Sequence, residues 1–112
     1  MDILFINKRL AKAFSSHKKL IREYGAKRAK RIEQRMKELQ AADTLADMRY
    51  FPGKCHELRE DRAGQLAVSL DGSYRLVFEP NHNPPPTRPG GGLDWSHVTE
   101  ICILEVVNYH GN

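Results

Sequence analysis

The sequence predicts an α+β fold: an N-terminal strand, then two helices packed on one face of a mainly antiparallel sheet of four or five strands, in a single domain spanning residues 1–112. Three observations predict it. Apolar residues recur at spacings of three and four from His17 to about Ala42, alternate with period two from Leu66 to Phe78, and close in a strand-like run from Ile101 to His110. A block of helices ahead of a block of strands, with no βαβ alternation, segregates the helices to one face of the sheet.

Ile3-Leu-Phe-Ile6 is short and apolar, as a strand requires, and Asn7 can cap a helix beginning at Lys8 with Leu10, Ala13 and Phe14 on one side. Ser15-Ser16 breaks that helix and offers a second N-cap. From His17 to about Ala42, Ile21, Tyr24 or Gly25, Ala29, Ile32, Met36 and Leu39 form one apolar stripe, while Lys27, Lys30, Arg31, Gln34, Arg35 and Lys37 fall on the opposite arc. Gly25 bends or weakens this helix, because an interior glycine costs about 1 kcal/mol relative to alanine. Asp43 to Gly53 reads as a connector ended by Pro52-Gly53.

Strands follow. Cys55 to Arg59 precedes the polar turn Glu60 to Gly64. Leu66, Val68 and Leu70 then alternate up to Asp71-Gly72, and Tyr74, Leu76 and Phe78 alternate beyond it. A three-residue loop pairs Leu70 with Tyr74, Val68 with Leu76 and Leu66 with Phe78, which gathers all six apolar residues on one face. Arg75 then stands on the opposite, helix-free face. The segment at about 80–98, with Pro80, Pro84 to Pro86, Pro89 and Gly90-Gly-Gly92, cannot be a core strand and reads as a long loop insertion whose far end Trp95 pins, with Leu93 beside it.

Composition narrows the function classes. At 112 residues with 40% hydrophobic and 29% charged residues, the chain is of ordinary globular composition with one modest core. Its opening apolar run is too short for a signal peptide or a membrane span, which makes the cytoplasm the expected location and leaves no membrane role. Cys55 and Cys102 show no paired metal spacing and read as buried small hydrophobes in a reducing compartment. Neighbouring Cys55 and His56 would point to opposite faces of a strand, so no metal centre is expected, and no phosphate-binding glycine loop or nucleophile elbow signals a cofactor. Nine of the 18 Lys and Arg residues lie between Lys18 and Lys37, against only Glu23 and Glu33. Such a concentration of positive charge attracts a polyanion, either nucleic acid or an acidic protein.

The chain closes on Asn108-Tyr109-His110, an aromatic ring and a proton-transfer group at a strand end. With His56, Arg59, Arg62 and Arg75 it makes a set suited to one reaction. Cleaving RNA through its own 2′-hydroxyl needs a proton acceptor, a proton donor to the leaving 5′-oxygen, and fixed cations for the phosphate charge. His56, His110 and Arg75 can supply these without metal, and Tyr109 can stack on a base or donate a hydrogen bond. Arg59, Arg62, Lys27, Lys30, Arg31 and Arg35 are the candidate phosphate contacts.

Pro52-Gly53, His56-Glu-Leu-Arg59, Asp61-Arg62, Gly72-Ser-Tyr-Arg-Leu-Val-Phe78 and Asn108-Tyr-His110, in this order over nearly the whole chain, resemble the HigB branch of the RelE/ParE toxin superfamily. The resemblance implies a toxin of a toxin-antitoxin system that enters the ribosome and cleaves mRNA, with a helix-turn-helix antitoxin partner and, through the antitoxin complex, operator DNA. It assigns His56, Arg59 and Arg75 to the cleavage surface and Tyr109 and His110 to a C-terminal aromatic-histidine pair. The chain departs from the pattern at Asn108, where close relatives often carry an acid; an amide can neither ionise nor serve as a base. Two alternatives stay open: a ParE-like, non-enzymatic inhibitor of DNA gyrase, and a non-catalytic member that binds nucleic acid or its partner with weakened toxicity.

Overall fold

The first two helices start where the sequence offers caps. In the computed structural model, which describes residues 1–109, strand β1 (Asp2–Phe5) leads into α1 (Lys8–Ala13), and the Asn7 side chain accepts the Leu10 amide at 2.9 Å. Helix α2 (His17–Tyr24) is capped in the same way by Ser16, which accepts the Lys19 amide. The expected single helix to Ala42 is instead two. Gly25 has φ +83°, closes α2 through its amide to the Ile21 carbonyl, and opens α3 (Ala26–Ala41) by accepting the Ala29 amide. A residue without Cβ adopts this positive φ at little cost, so glycine breaks the helix here and does not merely bend it.

Helix α3 buries Ala29, Ile32 and Leu39, and full burial of each of the two larger side chains contributes about 2 kcal/mol. The connector after it is more than a linker: Leu45–Tyr50 form a 3-10 turn that buries Leu45 and Met48 in the same core, and the Leu45 amide reaches the Val98 carbonyl at 2.9 Å.

Strands β2 (His56–Glu57), β3 (Leu66–Ser69), β4 (Tyr74–Pro80) and β5 (Glu100–Asn108) complete one five-stranded sheet in the order β1-β5-β4-β3-β2. β1 runs parallel to β5 and every other pair is antiparallel. The hairpin has the expected register: Leu66 pairs with Phe78, Val68 with Leu76, and the Leu70 amide bonds to the Tyr74 carbonyl. Those residues and Ile101 and Ile103 meet α2 and α3 in the main core. A smaller cluster of Leu58, Ala67 and Val77, with Leu104, Val107 and Tyr109 packed against it, lies on the other face.

The β4–β5 ladder breaks once. Val77 pairs with Glu105 but Phe78 pairs with Ile103, leaving Leu104 as the extra residue of a β-bulge. The strand expected over Cys55 to Arg59 shortens to two residues, and the 3-10 turn Glu60–Arg62 follows it.

Between β4 and β5 the proline- and glycine-rich segment folds back on itself. Thr87 bridges Leu93, the Arg88 amide bonds to the Gly92 carbonyl, and Trp95 opens a last 3-10 turn, Trp95–His97. Trp95 does pin the segment: its indole N–H donates to Glu57 Oε2 at 3.0 Å, and the Arg49 guanidinium lies 4.5 Å above its ring. Among the described residues no helix is long and apolar enough to cross a membrane.

Candidate RNA-binding face of the sheet

Side chains alternate across a strand, so the register decides which candidates share the helix-free face. Arg75 pairs with Ser69 on one side and Val107 on the other, and therefore stands on the face of Val77 and Val107, as the sequence reading expects. Its Nη1 donates to the Gly72 and Tyr74 carbonyls at 3.2 and 3.0 Å. Both acceptors are neutral, so the guanidinium keeps its charge uncompensated by any carboxylate among the described residues.

Tyr109 shares this face. Its amide bonds to the Ser73 carbonyl at 2.9 Å, and its half-buried ring packs on the second cluster. His110 lies outside the described residues. Asn108 pairs with Tyr74, so it points to the other side of the sheet, where its amide oxygen accepts the Ser73 hydroxyl.

His56 shares this face, as expected, since it pairs with Ala67 and Ala67 with Val77, but it stands apart from the group. It sits on β2, which pairs only with β3 and lies at the sheet edge, three strand spacings from β5, or about 14 Å. Its imidazole Nδ1 is 2.8 Å from the Lys54 carbonyl. The expectation that it neighbours Arg75 and the C-terminal strand is corrected by the strand order: β3 lies between it and Arg75, and β3 and β4 lie between it and β5. Arg59 is exposed beside it, at the entrance to the Glu60–Arg62 turn, and a concavity lined by His56, Glu57, Leu58, Arg59 and Glu60 opens there.

Arg62 reaches across the face. Its Nη2 lies 3.0 Å from Glu105 Oε2, while Nη1 donates to the Gln65 side chain at 3.0 Å. Glu105 is the site residue that sequence reasoning missed. Strict alternation from Ile101 and Ile103 sends it to the helix side; the bulge at Leu104 turns it to the face of Arg75, with its side chain 46% exposed. It is a carboxylate acceptor two residues from Val107, which is Arg75's own pairing partner.

The basic helix residues separate from this face. Lys27 and Lys30 are exposed and Arg31 half-buried on α3, in the layer across the sheet from Arg75. Arg35, expected to contact phosphate, is 4% exposed. Its Nε donates to the Ser69 carbonyl at 2.7 Å and its Nη1 to Glu38 at 3.2 Å. The Ser69 amide in turn bonds to the Gly53 carbonyl, so Arg35 serves the end of β3 where the two-residue β2 has already stopped. The signal was present in the spacing, since Arg28, Ile32, Arg35 and Leu39 follow one another at four, three and four residues.

Arg28 likewise turns inward, gripping Asp71 through two 3.0 Å hydrogen bonds and lying 3.3 Å over the Tyr74 ring. Burial pushes the Asp71 carboxyl up, but the Arg28 hydrogen bond, its own backbone amide and the charges of Arg28 and Lys27 together hold it below the usual carboxylate range. Burial drives the Cys55 thiol up to about 12, and burial also raises Cys102. Both cysteines are free thiols.

Among the described residues no cluster of three His, Cys, Asp or Glu side chains is placed to hold a metal ion. The helix-free face thus carries Arg75, Glu105 and Tyr109 toward one side and His56 at the far edge, with Arg62 reaching over it from the Glu60–Arg62 turn. No family model matches the sequence, and comparison with curated proteins finds no match.

Proposed function

We propose that the chain is the toxin of a toxin-antitoxin system and acts as a ribosome-dependent mRNA endonuclease in the cytoplasm. The observation that carries the reading is the joint placement of Arg75, Glu105, Arg62 and Tyr109 on the helix-free face, added to the resemblance of the chain's motifs to HigB-like toxins. Glu105 accepts the proton of the RNA 2′-hydroxyl, O2′ attacks the adjacent phosphorus, and the P–O5′ bond breaks to leave a 2′,3′-cyclic phosphate. His110, next after Tyr109 in sequence, protonates O5′; Arg75 and Arg62 stabilise the charge gathering on the phosphate oxygens. Tyr109 stacks on or hydrogen-bonds a base. Lys27, Lys30 and Arg31, on the far side of the sheet, hold ribosomal RNA and not the scissile phosphate. A helix-turn-helix antitoxin is the neutralising partner.

The place of His56, three strands from β5, favours a second reading, the ParE-like gyrase inhibitor, because it removes a two-histidine centre. The test is inducible expression with mapping of mRNA 5′ ends and a parallel supercoiling assay on purified protein. Cleavage in phase with codons, abolished by Arg75→Ala and reduced at least about 100-fold by Glu105→Gln, is expected if these groups stabilise charge and move the proton. Intact mRNA with inhibited supercoiling would replace the first reading by the second.

A further inference from the structure

The C-terminal half of β5 has a neighbour on one side only. β1 pairs with Glu100–Ile103 and ends at Phe5, after which the Ile6 amide makes a last bond to the Ile103 carbonyl at 2.9 Å and the chain turns into α1. On the β4 side, the Tyr109 amide bonds to Ser73. Residues two apart in an antiparallel strand face the same way, so Val107 and Glu105 also turn their backbone groups to β4. Val106 and Asn108 therefore direct N–H and C=O away from β4, toward a position that β1 no longer fills. Among the described residues no backbone group meets them there.

That position is open. A groove of about 310 Å³ runs beside it, with Leu10, Tyr24, Leu104 and Val106 as its apolar part and the carboxylates of Glu23 and Glu105 also in its lining. A contiguous concavity of about 200 Å³ between α1 and α2 shares Arg9, Ala13 and Glu23 with it and adds Lys12, Lys19 and Arg22. None of these four cations takes part in an ion pair among the described residues; the acids of the combined surface are Glu23 and Glu105, and Glu105 is already paired with Arg62. An unpaired sheet edge, an apolar floor and a positive wall lie together on one side of the molecule.

We propose that this edge is the docking site of an extended, acidic segment of a partner protein, which adds to the sheet as a sixth strand beside Val106 and Asn108. Main-chain hydrogen bonds to those two residues set its register. Alternate apolar side chains lie on Leu10, Tyr24 and Val106, and intervening or flanking acids meet Arg9, Lys12, Lys19 and Arg22. Charge decides the occupant. A second copy of this chain, paired edge to edge, would bring the same four cations against themselves, whereas an acidic segment neutralises them. The groove touches the helix-free face at Leu104 and Glu105 but calls on no proton transfer from Glu105, so peptide binding is tested separately from RNA cleavage.

The experiment is selection of phage-displayed random dodecapeptides on the immobilised full-length protein, followed by titration of the winning synthetic peptide. Enrichment of Asp and Glu interspersed with Val, Ile or Leu is expected, with hydrogen-exchange protection of the Val106 and Asn108 amides in the complex. Val106→Pro should weaken binding at least tenfold. Its missing N–H points away from β4, so the native ladder is kept, as proline at a sheet edge allows. The double variant R9E/R22E, on exposed helix positions, should weaken binding at least tenfold as well and serves if the proline variant does not fold. No enriched peptide, no acidic bias, or undiminished binding to the charge-reversed variant would overturn the proposal. So would a concentration-dependent dimer that Val106→Pro abolishes, which would make the edge a self-association surface.

Discussion

Replacing Arg35 with methionine separates two roles that the same residue type can play. Methionine keeps most of the unbranched stem packed under Gly53 but removes the guanidinium. The Ser69 carbonyl loses its 2.7 Å donor and Glu38, whose side chain is only 16% exposed, loses its partner. A hydrogen bond to a charged group contributes about 1.5–3 kcal/mol, and removing one member of a buried pair costs about 3–5 kcal/mol. The two ranges overlap in what they count, and Glu38 retains some contact with water, so the expected loss is about 3 kcal/mol. A domain of this length has roughly 6–17 kcal/mol in total at 0.05–0.15 kcal/mol per residue, so the variant should still fold. Its Tm should fall by roughly 10–15 °C. Urea unfolding followed by circular dichroism at 25 °C measures the loss, and binding of a short RNA is measured on the folded variant. A loss below about 1 kcal/mol accompanied by weakened RNA binding would refute the reasoning and return Arg35 to the phosphate contacts.

Three further outcomes are expected. Gly53→Ala should destabilise the fold by about 2–3 kcal/mol in the same assay, because the position has φ +105° and an added Cβ would lie 2.6 Å from Arg35 Nε. Asp71 is held below its unfolded value, so it contributes stability above about pH 4 that is lost as pH falls from about 5 through the folded value. Asp71→Asn should flatten the acid side of the stability-versus-pH curve between about pH 5 and 3, and an unchanged curve would count against the Arg28 grip. At pH 7.5 iodoacetamide should alkylate Cys55 roughly three orders of magnitude more slowly than free cysteine, as a thiol pushed up to about 12 implies. Cys102 should also react slowly, and both thiols should recover ordinary rates in denaturant.

Much of the fold was legible because its signals are local. Asn7 and Ser16 cap helices through bonds that span three residues. The alternation from Leu66 to Phe78 admits one hairpin register that buries all the apolar residues together, and that register is the one observed. Trp95, the single tryptophan, had to cover something beneath a segment with little else to bury. Gly25 is a local signal of a different kind: its cost within a helix predicts a bend, whereas its freedom to adopt φ +83° makes a full break.

The site was less legible, because it depends on pairs far apart in sequence. Which strand neighbours which fixes the distance of His56 from Tyr109, and periodicity says nothing of strand order. Sequence by itself determined that this chain makes a helical layer and a sheet, where most elements begin, and that Arg75 leaves the core on the far side. Only the tertiary structure decided that Glu105 shares the face of Arg75 while Arg35 is buried. One extra residue in a ladder inverts the alternation, and a carbonyl left without a strand partner draws the nearest guanidinium inward. Both effects arise where two distant segments meet, and neither segment records them alone.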